Sequence, residues 1–314
     1  MAANNYPTVS DLVADALNLS GFELSSVKNM APVLMQMPAV ESSDGDNHRY
    51  AVYDTAPTVG FRAENAGRVL SHSGDSITTV ALKIMDWSFG VDKAVADRWR
   101  QGGAADYIAR EGLRHLGAAM FKFEQQFFNG TGADAAGFNG LTNSANLNQI
   151  ADEMVTTAGG DEANKQTSCY LLRVNPAECA AVFKGDSFQL GETVITHLPD
   201  NTAPENVFPA YYTPATSWFA GQIGSIYSAA RICNINNVED SNPLTDDLIY
   251  KALSTFPAGM GPNLIVCNQA ALEMLRKSRT ATNVTGAPAP LPTEVTGIPV
   301  VTTDAITSTE AVIS

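Results

Sequence analysis

The chain has 314 residues, of which 45% are hydrophobic, and a formal net charge of −14. This length allows one large domain or two modest ones, with ample chain to bury a core. Because strong negative charge repels phosphate and the basic residues do not cluster, sequence-specific nucleic-acid recognition is disfavoured. The same charge does not prevent a protein from enclosing DNA.

The cysteine spacing and the apolar runs indicate the cellular compartment of the protein. Cys169, Cys179, Cys233 and Cys267 lie far apart with no CxxC pair, which indicates neither a zinc site nor a disulfide framework and fits a reducing compartment. We expect all four to be small core hydrophobes. The N-terminus lacks the basic start and apolar stretch of a signal peptide, and no apolar run approaches the roughly 20 residues of a membrane span. The sequence predicts a protein made in a cytoplasm, without membrane association.

The first third of the chain reads as an arm followed by a long hairpin. Residues 1–45 combine a short helical pattern over Val9–Leu19 with a Pro-interrupted extended run, which predicts an N-terminal arm rather than a compact domain. From Arg49 the pattern is strand-like, in RYAVYD, VGFRAEN and ITTVALKIMDWSF, with polar and Gly-containing residues between. We predict a hairpin within residues 46–89 with a solvated tip. It cannot build its own core, so it should pack on another body such as a neighbouring copy.

A long amphipathic helix is predicted next, after Gly102 and Gly103. Glycines at 130 and 132 should end it, because glycine adopts the left-handed conformation of a helix C-cap. Roughly 25 residues at about 1.5 Å each give a rod of about 40 Å. We interpret this helix as the packing spine of an elongated subunit. Its apolar stripe recurs at close to every fourth residue and consists of Ile108, Leu116, Met120, Phe123 and Phe127.

The rest of the chain alternates strands and helices, so the predicted fold class is α+β. SCYLLRV and NLIVC read as buried strands, and NPLTDDLIYKAL and NQAALEMLRKS read as capped helices. The run NPAECAAVFKG predicts another helix, with Asn175 as N-cap, Pro176 in the first turn and Gly185 as the stop. A Thr/Ala/Pro-rich loop covers residues 280–296, and GIPVVTTDAI and EAVI predict closing strands.

No motif in the sequence indicates catalysis. NGTGADAAG, over residues 129–137, has Ala135 where a dinucleotide fingerprint needs its third glycine, and it follows a helix instead of a strand. It also resembles one unit of a calcium-binding nonapeptide repeat, but that repeat works only in tandem. The four histidines are scattered without HExxH, and neither GxSxG nor a P-loop is present. We therefore interpret the glycine-rich stretch as a structural turn and expect no catalytic, cofactor-binding or metal site.

The order of elements resembles a known family. An arm, an extended hairpin, a spine helix, the turn FFNGTGADAAGFNGL and a mixed lobe ending in GIPVVTTDAI resemble the major capsid proteins of tailed bacteriophages, which have the Hong Kong 97 type fold. Individually the matching strings are weak, and their order and spacing carry the resemblance from about residue 45 onward. The likeness is greatest to a short-tailed phage subgroup, through TSCYLLRV (Thr167–Val174), LGETVITHL (Leu190–Leu198), ARICNINNV (Ala230–Val238) and GIPVVTTDAITSTEA (Gly297–Ala311).

The resemblance implies a structural subunit whose hexamers and pentamers tile an icosahedral shell around packaged double-stranded DNA. Such a protein is assembled in the cytoplasm of a bacterial host and carried in the virion. The turn with Gly130, Gly132, Gly137 and Gly140 would be the hinge between two domains. The implied segments are an N-terminal arm (1–45), an extended hairpin loop (46–89), a peripheral domain with the spine helix (90–141), an axial domain (142–296) and closing strands of the peripheral domain (297–314).

The resemblance also implies partners. Besides copies of itself, the chain would meet a portal and a cement protein. Some relatives carry a long scaffolding segment before the arm and this chain has none, which implies a separate scaffolding protein or none. As a hypothesis, Arg62, Glu64 and Arg68 near the hairpin tip pair with charges on adjacent subunits, because the forked donors of arginine suit carboxylates. The alternative is a solvated loop face.

Two other functions remain open at this stage. An encapsulin-like bacterial nanocompartment shell protein has the same fold and would also lack chemistry of its own. Neighbouring portal and terminase genes would indicate a phage, whereas a neighbouring cargo enzyme would indicate a compartment. An enzyme on an α/β scaffold would require a concave site with perturbed titratable groups, and the sequence shows no such constellation.

Some members of the family crosslink their subunits through a lysine in the extended loop, but residues 46–77 contain no lysine. We therefore expect mature shells held together by non-covalent contacts alone. A denaturing gel of purified mature shells should show this protein as a single monomer band. A ladder of covalent oligomers would contradict the expectation.

Overall fold

The computed structural model of the chain describes residues 6–55, 57–142, 150, 152–185, 188–200, 202–236, 241–283 and 287–313. The helices in these ranges are α1 (Val9–Leu17), α2 (Gly21–Met30), α3 (Lys93–Asp97), α4 (Gly103–Asn129), α5 (Asp246–Leu253) and α6 (Gln269–Ala281). The strands are β1 (Ala39–Glu41), β2 (Asn47–Thr55), β3 (Gly74–Ala81), β4 (Lys83–Asp86), β5 (Phe89–Asp92), β6 (Val155–Thr157), β7 (Gln166–Leu172), β8 (Cys179–Phe183), β9 (Gln189–Leu190), β10 (Val194–Pro199), β11 (Val207–Thr213), β12 (Ala215–Ile223), β13 (Ala229–Asn236), β14 (Leu264–Cys267), β15 (Glu294–Val295) and β16 (Ile298–Thr302).

The predicted spine helix is present as α4, which has 27 residues. Gly102 precedes it with φ 87° in the left-handed helical region, and Gly130 ends it with φ 52° and ψ −134°, outside that region; glycine adopts both positive-φ conformations at little cost. The backbone N–H of Leu141 donates to the carbonyl of Phe127 at 2.9 Å, and Thr142 repeats the contact with Phe128 at 3.1 Å. The returning chain thus satisfies carbonyl groups that a helix end leaves free.

One face of α4 packs on a five-stranded sheet with the order β1-β8-β12-β4, in which β9 also pairs with β12. The ring of Phe123 stacks on Phe219 of β12, with centroids 4.5 Å apart, and meets Phe183 of β8 edge to face at 5.9 Å. Fully burying one such side chain stabilises the fold by about 1.5–3 kcal/mol. Of the predicted stripe, Leu116, Met120, Phe123 and Phe127 are buried, and Ile108 is half-buried beside β5.

The mixed lobe is a six-stranded sheet with the order β15-β16-β14-β7-β13-β6. Every residue of β7 and β13 is buried, as a central strand covered on both faces requires. Both predicted helices are present and capped: Thr245 accepts the N–H of Leu248 at the start of α5, and Asn268 accepts that of Ala271 at the start of α6.

None of the helices in the described ranges combines the length and apolar character that crossing a bilayer requires.

The four cysteines are buried and carry free thiols, which confirms their prediction as core residues. Cys179 lies in β8 of the five-stranded sheet, and the other three lie in β7, β13 and β14 of the six-stranded sheet. Burial raises the pKa of the Cys179 thiol far above its usual range, so this thiol stays protonated and behaves as a small hydrophobe.

The predicted helix over NPAECAAVFKG is wrong. The side-chain oxygen of Asn175 does accept the N–H groups of Ala177 and Glu178, each at 3.0 Å, as an N-cap would. The chain nevertheless continues into the strand β8, which pairs with β1 on one side and β12 on the other. The Asn175 side chain forms a turn that occurs both at helix starts and in loops. Pairing with strands that are distant in sequence made the following residues a strand.

The predicted strand EAVI is also absent, and only Glu310 forms an isolated bridge, with Gln166 of β7. The terminal residues are held by side chains instead. The Glu310 carboxylate accepts a hydrogen bond from Arg231 of β13 at 2.9 Å, and both side chains are 9% exposed. The amide of Asn234 bonds the backbone N–H and carbonyl of Ile313, at 2.9 and 2.7 Å.

The segment predicted as an N-terminal arm packs on the body of its own chain over its described part, residues 6–45. Val9 and Val13 of α1 and Val27 of α2 are buried in the same core as α4. The sequence pattern showed a short helix here but could not show what would cover its apolar face. Residues 1–5 of the predicted arm lie outside the described residues.

The sheets cross both of the predicted boundaries around the axial domain. β8 and β12 fall within residues 142–296, yet they pair with β1 and β4 in the sheet under α4. β16 falls within residues 297–314, yet it pairs with β14 in the six-stranded sheet. The segments implied by the resemblance are contiguous in sequence, whereas sheets join strands that are far apart in sequence. The predicted first residues after the turn, 143–149, lie outside the described residues.

One buried carboxylate joins three distant segments of the chain. Glu124, near the middle of α4's buried face, is 1% exposed. One of its oxygens accepts the N–H groups of Val33 and Leu34, at 3.0 and 2.8 Å, and the other accepts the hydroxyl of Thr303. Burial outweighs these hydrogen bonds and raises the pKa of the Glu124 carboxyl to about 7.

This carboxyl should make stability depend on pH. A pKa above that of the unfolded chain means that the folded state holds the proton more tightly, so stability falls as pH rises from about 4.5 to about 7 and then levels off. Glu124→Gln keeps an acceptor for the two N–H groups without the charge. Between these limits we expect the wild type to lose about 3 kcal/mol of unfolding free energy relative to this variant. Denaturant unfolding of the unassembled subunit measures the difference.

Glu273→Gln, at a partly exposed position of α6 where the carboxylate lies 3.6 Å from Arg276, is the matched control and should follow the wild-type pH profile. Parallel profiles for the wild type and Glu124→Gln would contradict the expectation.

Candidate assembly interface

The predicted extended hairpin is formed by β2 and β3, which pair antiparallel from Asn47 opposite Ala81 to Thr55 opposite Gly74. The predicted strand over residues 59–65 is absent, because this stretch lies in the loop between the two strands with no strand facing it. β2 has nine residues, so the hairpin extends about 30 Å at roughly 3.3 Å per residue.

The root of the hairpin is fixed to the five-stranded sheet. Val80 and Leu82 form a small buried cluster with Val182 of β8 and Ala220 of β12. On the other strand, the ring nitrogen Nε2 of His48 lies 2.8 Å from the side-chain oxygen of Gln222. Two more contacts close the root: Lys184 pairs with Asp46 at 2.7 Å, and the N–H of Leu82 donates to the Asp46 carbonyl at 2.9 Å.

Past this root the hairpin leaves its own body. Ile77, opposite Ala51, is 75% exposed, and every residue of 57–73 is exposed. We call residues 57–73 the tip. Four of its side chains are large and apolar and are more than 80% exposed: Val59, Phe61, Val69 and Leu70. Exposed apolar residues grouped in this way mark surfaces that bind another molecule.

Sequence reasoning missed these apolar residues because it took VGF as part of a strand and RVL as part of a polar connection. The signal was present: two short apolar runs flank the polar residues 62–68. The runs can be recognised as an exposed surface only once the structure shows that no strand pairs with them.

The predicted contact residues Arg62, Glu64 and Arg68 all lie in the tip and are exposed. The Arg62 guanidinium donates to the carbonyl of Ala66 at 3.3 Å, and Arg68 donates to that of Thr58. Each arginine has five N–H donors, so both retain donors for another partner while they shape the loop. Within the described ranges Glu64 forms no ion pair.

The four glycines of the predicted hinge lie in a turn that folds back on the end of α4. Gly130 begins a 3₁₀ turn that ends at Gly132. A Cβ on Gly140 would stand 2.4 Å from the backbone nitrogen of Gly130, and one on Gly137 would stand 2.3 Å from the Gln126 amide, so both positions require close backbone approach. The amide of Gln126 also donates to the Phe138 carbonyl at 2.6 Å. The turn is therefore tied to the helix.

Within the described part of the chain, no three His, Cys, Asp or Glu side chains are arranged to hold a metal ion. The features described above are thus a spine helix buried in the core, a turn tied to its end and an apolar, arginine-bearing tip. Of these, the tip is exposed throughout.

Comparison with known proteins decides the family. The sequence profile of the family described as "Major capsid protein GP7" matches residues 24–314. The chain belongs to this family. It is a major capsid protein of a tailed phage, a structural component of the icosahedral virion shell and not an enzyme. The match decides for the capsid subunit over the nanocompartment shell protein.

Solved capsid structures share the fold. The capsid protein is similar to a chain of bacteriophage Epsilon15 with a TM-score of 0.61 and 20% identity, over 99% of each chain. It is also similar to a chain of the bacteriophage JBD30 capsid decorated with minor capsid protein trimers, with a TM-score of 0.50 and 13% identity, over 98% of this chain and 97% of that one. At such identities the likeness establishes the Hong Kong 97 type fold. A search of curated proteins finds no match.

Proposed function

We propose that this capsid protein forms hexamers and pentamers in which the hairpin of each copy lies across the next copy, and that the shell encloses double-stranded DNA. The observation that carries the proposal is the tip, with four apolar side chains more than 80% exposed, at the end of a strand pair about 30 Å long that starts at the anchored root. A contact of this kind, in which one surface of a subunit meets a different surface of the next, forms a ring when the rotation between successive copies closes.

The net charge of the subunit supports a shell that encloses DNA without binding specific sequences. A subunit of net charge −14 repels the phosphate backbone, so packaged DNA would be confined by the shell instead of being bound to it. We also propose that the shell belongs to a short-tailed phage, on the strength of the four ordered strings in the sequence, and that it works with a portal, a separate scaffolding protein and a cement protein.

Two structural units would serve the two contact regions of a capsomer. The five-stranded sheet with α4 would form the peripheral domain, and the six-stranded sheet with α5 and α6 would form the axial domain that meets its copies at the capsomer centre. The turn of Gly130, Gly132, Gly137 and Gly140 would be the hinge between them. The position of the turn supports this role, because it directly follows the last residue of α4.

Electron microscopy of the protein expressed with its neighbouring genes tests the proposal. Uniform icosahedral particles with both six-fold and five-fold capsomers are expected. A stable monomer under every condition would contradict it.

The tip itself can be tested at Phe61, whose side chain is fully exposed in the single chain. Phe61→Asp should lower the particle yield by about tenfold or more, because a charge would enter a contact that excludes water. Phe61→Leu keeps an apolar side chain and should assemble nearly as well. Quantitative sedimentation of particles and free subunits gives the yield. Undiminished assembly of Phe61→Asp would rule out a role for the tip.

A further inference from the structure

A groove of about 470 Å³ opens on the body of the subunit between α1, β1 and the end of β8. Its floor is apolar and includes Leu12, Val40 and Phe183. Its rim carries three exposed carboxylates: Asp11 and Asp15 on α1 and Glu41 at the end of β1. We call this feature the acidic groove.

The negative charge of the groove is only partly compensated, because Lys28 of α2 acts electrostatically on just one of the three rim carboxylates, Asp11. The basic residue that lines it, Lys184, directs its ammonium to Asp46 at 2.7 Å and lies over the ring of Trp218. Asp11 accepts hydrogen bonds from Thr8 at the start of α1. Asp15 and Glu41 form no ion pair with any other described residue. A cationic partner with apolar side chains would therefore meet both the rim and the floor.

The hairpin tip of the same chain has this chemistry. It carries Arg62 and Arg68 against one acidic residue, Glu64, in a protein whose net charge is −14. Phe61 stands beside Arg62 in sequence and Val69 beside Arg68, so each arginine of the tip has an apolar neighbour. Two copies of so acidic a protein repel each other overall, and a local contact between opposite charges would fix how they meet.

The tip of a copy cannot fill the groove of that same copy. Lys184, on the groove, pairs with Asp46, the residue before β2, so the groove lies at the root of the hairpin. The tip is the length of the hairpin away, about 30 Å for nine residues of strand. An occupant of this chemistry must come from a second copy.

We propose that the hairpin tip of one subunit docks into the acidic groove at the hairpin root of the next, with Phe61 on the apolar floor and Arg62 and Arg68 at the carboxylate rim. This inference rests on the proposed function and names the receiving surface. Each copy gives one tip and receives one, so the contact repeats around a ring.

A charge exchange tests the pairing. Arg62→Glu with Arg68→Glu should lower the yield of particles by about tenfold or more, because like charges replace opposite ones at the rim. Adding Asp15→Arg and Glu41→Arg to that variant should restore most of the yield. The matched control adds Glu192→Arg and Glu205→Arg instead, which changes the net charge equally at two exposed carboxylates away from the groove, and it should not restore assembly. Thermal unfolding of each unassembled variant checks that the subunit is folded.

Three results would overturn the inference while wild-type particles still form: full yield from the tip variant, no rescue by the groove substitutions in a folded subunit, or equal rescue by the control pair. Failure of the wild type to form particles would overturn the proposed function, and this inference with it.

Discussion

The contact between the aromatic face of α4 and the five-stranded sheet is the constraint on which the rest of the molecule depends. Phe123 lies where rings from β8 and β12 converge, and those strands come from a part of the chain far beyond the helix. The same two strands carry the anchored root of the hairpin on their surface. The orientation of the tip is therefore set by the packing of a helix that the tip never touches.

Glu124 extends that constraint to both ends of the chain. Its carboxylate reaches backbone N–H groups near residue 33 and a hydroxyl at residue 303. Buried acceptors of this kind are costly when unpaired and strongly position-specific when paired. The early and late segments thus close on the C-terminal third of α4, which explains why a predicted arm is packed on the body here.

Sequence patterns correctly predicted those elements whose structure depends on interactions between residues close in sequence. The stripe on α4, the glycines that end it and the caps at Thr245 and Asn268 depend on neighbours within a few residues. The run after Asn175 failed because its turn chemistry suits a helix start and a loop equally well. Its fate was set by β1 and β12, which lie far from it in sequence. The acidic groove was out of reach for the same reason, since its rim joins residues of α1 and β1 to the end of β8.

The small cluster at the hairpin root has a mechanical consequence. Only four buried residues, with two half-buried neighbours, form that apolar cluster, while the hairpin that starts at it is about 30 Å long. A rotation of about 10° at the root would displace the far end by about 5 Å, at the cost of a few side-chain contacts and not of the core. Identical subunits can then contact their neighbours at slightly different angles. The proposed shell requires this, because the same chain would occupy both hexamers and pentamers.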